Sequence, residues 1–199
     1  SQGFYLKDTD ENVLTLNGAE YVEVPDSDMW SFGDGSNDTP FSIEAWVKMS
    51  EVDNAPIISK GVPNTNGEWR LTIQGNDSLE FLLMDESVAD GYVYAYTATS
   101  FGATYLNLWT HICATYDGRG GDDAENGMKV YVNSIDATSA RGGNTNYVAM
   151  ENLGGDIYIG REDTAYSDGN IDDVRIYSDA LSATEVTKNY NAGLSKHRN

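Results

Sequence analysis

Short runs of alternating apolar and polar residues, cut at intervals by glycine, asparagine and aspartate, constrain this chain to antiparallel sheet. Phe41 to Met49 is the clearest run: Ile43, Ala45 and Val47 fall on one side, and Glu44, Trp46 and Lys48 on the other. That two-residue period marks a strand with one face in a core. The second face carries a tryptophan, so it is not simply solvated. Val13 to Leu16, Tyr21 to Val24, Ile57 to Lys60, Trp69 to Ile73 and Leu79 to Met84 extend the pattern, as do Asn107 to Tyr116, Met128 to Asn133 and Asp156 to Gly160. Ile112, Ala114 and Tyr116 should point inward, with Val130, Val132, Ile157 and Ile159. Asn17-Gly18 is a hairpin-type turn signal, whereas Asp26 to Thr39 and most of Ser134 to Gly155 read as loop. About twelve to fourteen strands with helix only at the end predict an all-β fold of two antiparallel sheets packed as a sandwich.

The last strand is Gly169 to Tyr177. Its alternation sets Asp172 on the same face as Val174 and Ile176, and Asp173, Arg175 and Tyr177 on the other. A carboxylate at the lip of a core needs a partner, either a cation or a ring of backbone N–H groups. Ser182-Ala-Thr-Glu185 then matches a capping box, so a short helix should start there and end near Gly193.

Four segments carry a family resemblance: Gly169 to Val186, Leu14 to Pro25, Phe41 to Lys48, and Trp109 to Gly118 with Val130-Tyr-Val-Asn133. In this order they resemble laminin-G-like, concanavalin A-like jelly-roll domains over residues 13 to 193. A chain of 199 residues suits one such domain over residues 1–199, and 194–199, including Lys196 and His197, reads as a tail. That family pairs its first and last strands, which would bring Asn17 and Gly18 near Asp172 and Asp173, either around a structural Ca²⁺ or with the turn's N–H groups on Asp172. Gly160-Arg-Glu162-Asp163 is similar to the acidic loop with which pentraxins bind calcium and, through it, ligand. The earlier loop that would complete the site, Val62 to Glu68, offers Asn64, Asn66 and Glu68 but no Asp-Asn pair.

Other classes of function fall away. The chain has 12 basic against 32 acidic residues, a formal charge of −20, which opposes nucleic acid and anionic membrane surfaces. Clustered carboxylates could instead hold cations. Cys113 is the only cysteine and lies in an apolar strand, where a small buried thiol is the expected role. With only His111 and His197, neither a zinc site nor a histidine triad has its parts. Asp8-Thr-Asp10-Glu-Asn12 is similar to the start of a calcium loop but lacks the sixth-position glycine and the terminal glutamate. Glucanases that share the fold use a Glu-x-Asp-x-x-Glu strand motif; the nearest approach, Glu51 to Pro56, ends in proline. No apolar run approaches membrane-spanning length, and a chain opening on Ser1 is expected to be a processed or excised fragment.

The remaining clue to a ligand is Gly91-Tyr-Val-Tyr-Ala-Tyr-Thr97, which sets Tyr92, Tyr94 and Tyr96 on one side of a strand. Phenol rings stack on the apolar faces of sugars, so these three with Trp69 or Trp46 could line a glycan groove, and the pentraxin resemblance implies Asn66, Glu162 and Asp163 as further ligand residues. They could equally pack under long loops as good strand residues. The expected function is a non-catalytic binding module of an exported or surface protein, calcium-dependent or calcium-stabilised, that binds carbohydrate and belongs to a larger protein. A structural or interaction domain is the alternative, and a glycoside hydrolase or lyase the weaker one.

Overall fold

A computed structural model describes residues 4–5, 13–89, 91–144 and 146–197. The Asp8 to Asn12 run lies outside them. Along the chain come β1 (Phe4–Tyr5), β2 (Leu14–Asn17), β3 (Val22–Val24), β4 (Phe41–Met49), β5 (Ala55–Lys60), β6 (Trp69–Ile73), β7 (Leu79–Asp85) and β8 (Gly91–Thr97). A short helix α1 (Phe101–Tyr105) leads to β9 (Thr110–Tyr116), β10 (Met128–Val132), β11 (Ile135–Asp136) and β12 (Thr138–Gly143). The chain then forms β13 (Ile157–Ile159), β14 (Arg161–Glu162), β15 (Ala165–Tyr166), β16 (Asp168–Tyr177) and α2 (Ala183–Gly193).

Fourteen of the strands form two seven-stranded antiparallel sheets, and β14 and β15 pair as a small separate hairpin. One runs β1-β16-β4-β9-β10-β11 with β2 also on β16, and the other runs β12-β8-β7-β6-β5-β13-β3. Their inner faces interdigitate as the alternation requires. Ile43, Ala45, Val47, Ile112, Ala114, Tyr116, Val130 and Val132 meet Leu71, Ile73, Phe81, Leu83, Val93, Ala95, Ile157 and Ile159 in one core. Phe41 stands at the centre of an aromatic cluster, stacked on Phe32 at 4.2 Å and edge-on to Phe81 at 5.5 Å between centroids. The fold is thus the predicted jelly-roll sandwich.

The strand pairing corrects three expectations. Asn17-Gly18 does not turn a hairpin, because β2 pairs with β16 in one sheet and β3 with β13 in the other. The link from Ser134 to Gly155 is not all loop, since β12 lies within it and edges the second sheet beside β8. Asp172 is not on the face of Val174 and Ile176. The register passes from Asp172 opposite Trp46 to Arg175 opposite Glu44, so Asp173 and Val174 together face Ala45. This β-bulge, with Asp173 at φ +49°, inserts one residue and reverses the phase. Ile171, Val174 and Ile176 stay in the core, while Asp172 turns outward with Trp46 and Glu44.

That outer face is covered by the C-terminal segment. Ser182 caps α2 through the expected box, its hydroxyl accepting from Glu185 N–H while the Glu185 carboxylate accepts from Ser182 N–H. The helix lays Val186 and, just before it, Leu181 against Cys113 and Tyr131 in a second, smaller apolar cluster. Gly193 lets the helix end approach Trp46: a Cβ there would stand 2.3 Å from Trp46 Nε1. Lys196 and His197 are not a loose tail. His197 is 3 % exposed, and its ring stacks on Trp46 at 4.4 Å and meets Trp109 edge-on.

Candidate functional site

The outer face of the second sheet holds a groove of about 740 Å³. β8 builds one wall, because Val93 and Ala95 are buried inward and their neighbours Tyr92, Tyr94 and Tyr96 must therefore face out. The three rings stack in series, 6.2 and 5.5 Å apart and within about 22° of parallel. Tyr94 leans over Gly142, its partner on β12, where an added Cβ would lie 2.7 Å from the phenol oxygen. Glycine at that edge position leaves room for the ring.

The floor and far wall come from β7 and β6. Glu80, Leu82 and Met84 pair across to Tyr96, Tyr94 and Tyr92, and Arg70 lies opposite Leu82. Leu82 and Met84 give an apolar base beside the rings. Arg70 donates from NH1 to Glu162 Oε1 at 2.6 Å and from NH2 to Glu80 Oε1 at 3.0 Å. The turn from Asp85 to Ala89, with Gly91, closes one end together with Pro63 and Asn64. Asp85 shapes that segment by accepting from Ser87 N–H and O–H and from Val148 N–H, and Glu86 accepts from Asn64 N–H at 2.8 Å. A stack of phenols over an apolar base, edged by carboxylates and amides, suits a ligand with both C–H faces and hydroxyls.

Other expected site residues lie elsewhere. Trp69 is in the core, its indole N–H bound to Trp30 O at 3.0 Å, and Trp46 lies under the C-terminal segment. Asn66 braces its own loop by accepting from Val62 N–H. Glu162 is buried beneath the groove as the partner of Arg70, also within 3.5 Å of the Thr72 hydroxyl, rather than sitting in an open acidic turn. Asp163 is exposed next to it. These placements offer no shared calcium cage. Glu51 and Asp53 lie outside the groove lining.

The Asp172 grouping also differs from the expected calcium set. Asn17 pairs with Asp168, not Asp172, and Gly18 N–H donates to Ser167 O. Asp172 is instead held by His197 Nε2 at 2.7 Å and Lys196 Nζ at 3.0 Å, with His197 Nδ1 against Gly193 O. Burial raises the Asp172 carboxyl, but His197 and Lys196 outweigh it and hold the pKa below the usual range. Asp172, Asp173 and His197 converge closely enough to surround an ion. The Lys196 ammonium already stands among them, and a hard cation such as Ca²⁺ takes six to eight oxygens. These residues do not fit calcium.

Arg70, Glu80, Leu82, Met84, Asn64, Asn76, Asp85 and Glu86 were not read as groove residues from sequence. The signal was present on β7, where Glu80, Leu82 and Met84 keep phase opposite Phe81 and Leu83.

A family model of the concanavalin A-like lectin/glucanases superfamily matches residues 16–187. The chain belongs to this superfamily. A comparison with curated proteins returns no match. Among solved structures, the binding domain of Paraclostridial Mosquitocidal Protein 1 superposes with a TM-score of 0.64 at 14% identity, over 94% of this chain and 51% of that one. The botulinum neurotoxin serotype G binding domain gives 0.62 at 22% identity, over 96% and 45%. The serotype D ligand binding domain in complex with N-acetylneuraminic acid gives 0.61 at 17%, over 96% and 46%. This superfamily member therefore spans about half the length of the structures it matches. At these identities the likeness is one of fold. No helix among its described residues is long and apolar enough to cross a membrane.

Proposed function

We propose that this chain is a non-catalytic carbohydrate-binding module whose glycan seats in the tyrosine-walled groove. The observation that carries the reading is the series Tyr92, Tyr94, Tyr96 standing beside the apolar base of Leu82 and Met84 in a groove of about 740 Å³. Membership of a lectin-containing superfamily supports it, as does the neighbouring toxin domain that holds a sialic acid. The reading extends to a place on the outside of a cell or particle, as one part of a larger protein. It does not need calcium at Asp172, whose charge is met by Lys196 and His197.

A glycan array followed by affinity electrophoresis tests this. Tyr94→Ala should weaken retention roughly two- to twelvefold, the worth of one aromatic contact of about 0.5–1.5 kcal/mol, while the far-ultraviolet circular dichroism stays the same. If no glycan is retained by the wild type and the chain self-associates instead, the structural-domain reading takes over.

A further inference from the structure

We propose that the groove selects its glycans by charge, disfavouring anionic sugars, accepting neutral ones and binding positively charged amino sugars best. This rests on the carbohydrate reading above and adds the class of ligand.

Among the lining residues Arg70 is the one cation, against the carboxylates of Glu80, Asp85 and Glu86. Arg70 is already committed. Its two terminal nitrogens are bound to Glu162 and Glu80, and its Nε is buried without a hydrogen-bond partner among the described residues. A sugar carboxylate entering the groove would find no free guanidinium and would face Glu80. The closed end is more acidic still. Glu151 stands behind it, accepting from Glu86 N–H and Ser87 N–H at 2.9 Å, so Asp85, Glu86 and Glu151 crowd around one turn. The Glu151 carboxyl is raised, first by burial and also by repulsion from Asp85. The hydrogen bonds that fix these groups come mainly from backbone N–H donors, which orient carboxylates without cancelling their charge.

An ammonium placed at this end gains what a sugar carboxylate loses. One unit charge about 4 Å from another in water corresponds to roughly a fivefold change in binding. The serotype D domain that holds N-acetylneuraminic acid is thus a guide to fold and not to ligand charge.

Four probes in two matched pairs test the proposal by isothermal titration and affinity electrophoresis at about pH 6. They are lactose against 3′-sialyllactose, and the N-acetylglucosamine trimer against its deacetylated, cationic form. The sialylated sugar should bind about fivefold more weakly than lactose, and the cationic trimer about fivefold more tightly than the acetylated one. Both gaps should close as salt shortens the Debye length to about 3 Å near 1 M, and Glu86→Gln should narrow both. Equal or tighter binding of 3′-sialyllactose, lost on Tyr94→Ala, would overturn the charge selection and leave the carbohydrate reading intact. A preference for the cationic trimer that ignores salt would overturn it too. Failure of all four probes, in a wild type whose circular dichroism shows it folded, would remove the carbohydrate reading and this inference together.

Discussion

At the scale of single residues, buried charges show how the molecule will respond to pH. Glu44 is fully buried between the first sheet and α2. Burial pushes its carboxyl up, but His111, whose Nε2 stands 3.5 Å from Oε2, and hydrogen bonds from Arg175 and Tyr177 more than reverse this and hold it at about 2. Arg175 NH1 and Tyr177 O–H each reach Oε1 at 2.7 Å, and Asn189 reaches Oε2 at 3.0 Å. A depressed carboxyl stabilises the fold above its unfolded value near 4.5, and that contribution disappears as pH falls toward about 2. Glu44→Gln should therefore lose stability at neutral pH, by about 3 kcal/mol for breaking a buried pair, with the deficit shrinking in acid. Urea unfolding at stepped pH reads this directly.

Glu68 has the opposite sign. Lys60, fully buried, sits between Asp26 at 2.5 Å and Glu68 at 3.3 Å. One ammonium does not balance two carboxylates in a dry site. Asp26 keeps partial contact with water, so Glu68 yields: burial raises its carboxyl to about 7 against the pull of Lys60. Between about 4.5 and 7 the folded state then holds a proton that the unfolded state has released, so stability falls as pH rises through that window. The full linkage is on the order of 3 kcal/mol. Glu68→Gln should flatten this decline while leaving the acid limb set by Glu44 in place. Parallel Tm curves for wild type and variant across the window would refute it.

At the scale of elements, the C-terminal clasp decides how much of the first sheet is covered. Residues 194–197 carry Lys196 and His197 onto Asp172 and close over Trp46. A chain truncated after Gly193 leaves Asp172 without either partner and uncovers the indole, so Tm should fall and tryptophan emission should shift to the red. Chelator should leave the intact chain unchanged, because the Asp172 charge is met by side chains. A drop in Tm on chelation would bring calcium back.

These elements also show what the sequence could reveal. The inward phase of β4, β9 and β10, the cap at Ser182 and the outward row of Tyr92, Tyr94 and Tyr96 were all legible, because period and capping chemistry are local. The face of Asp172 was not, since a bulge adds its residue through pairing with β4 and leaves no mark on the local pattern. Asn17-Gly18 carried a sound turn signal, overridden because its flanking strands join different sheets. Trp69 was legible but misassigned: it keeps phase with Leu71 and Ile73 and so belongs in the core, with Arg70 left to face the groove. The other groove wall stayed hidden because it requires the registers between β6, β7 and β8.

At the scale of the whole molecule, the charge of −20 acts on folding and on binding in opposite directions. Like charges spread over a folded chain of this size repel, and the unfolded chain relieves that repulsion by expanding. Among the described residues, favourable exposed pairs such as Arg119 with Asp117 and Asp123 are few beside the excess of carboxylates, and exposed pairs contribute little each. Screening should therefore remove more repulsion than attraction. Raising sodium chloride from about 0.01 to 0.15 M, which shortens the Debye length from about 30 to 8 Å, should raise Tm. The same change should weaken retention of a cationic sugar, because the field that strains the fold is the one that draws an ammonium into the groove. Opposite slopes of Tm and affinity against salt, measured on one preparation, would tie both effects to the same charge. A Tm that falls along with the affinity would show that local ion pairs, rather than net repulsion, dominate the stability of the folded chain.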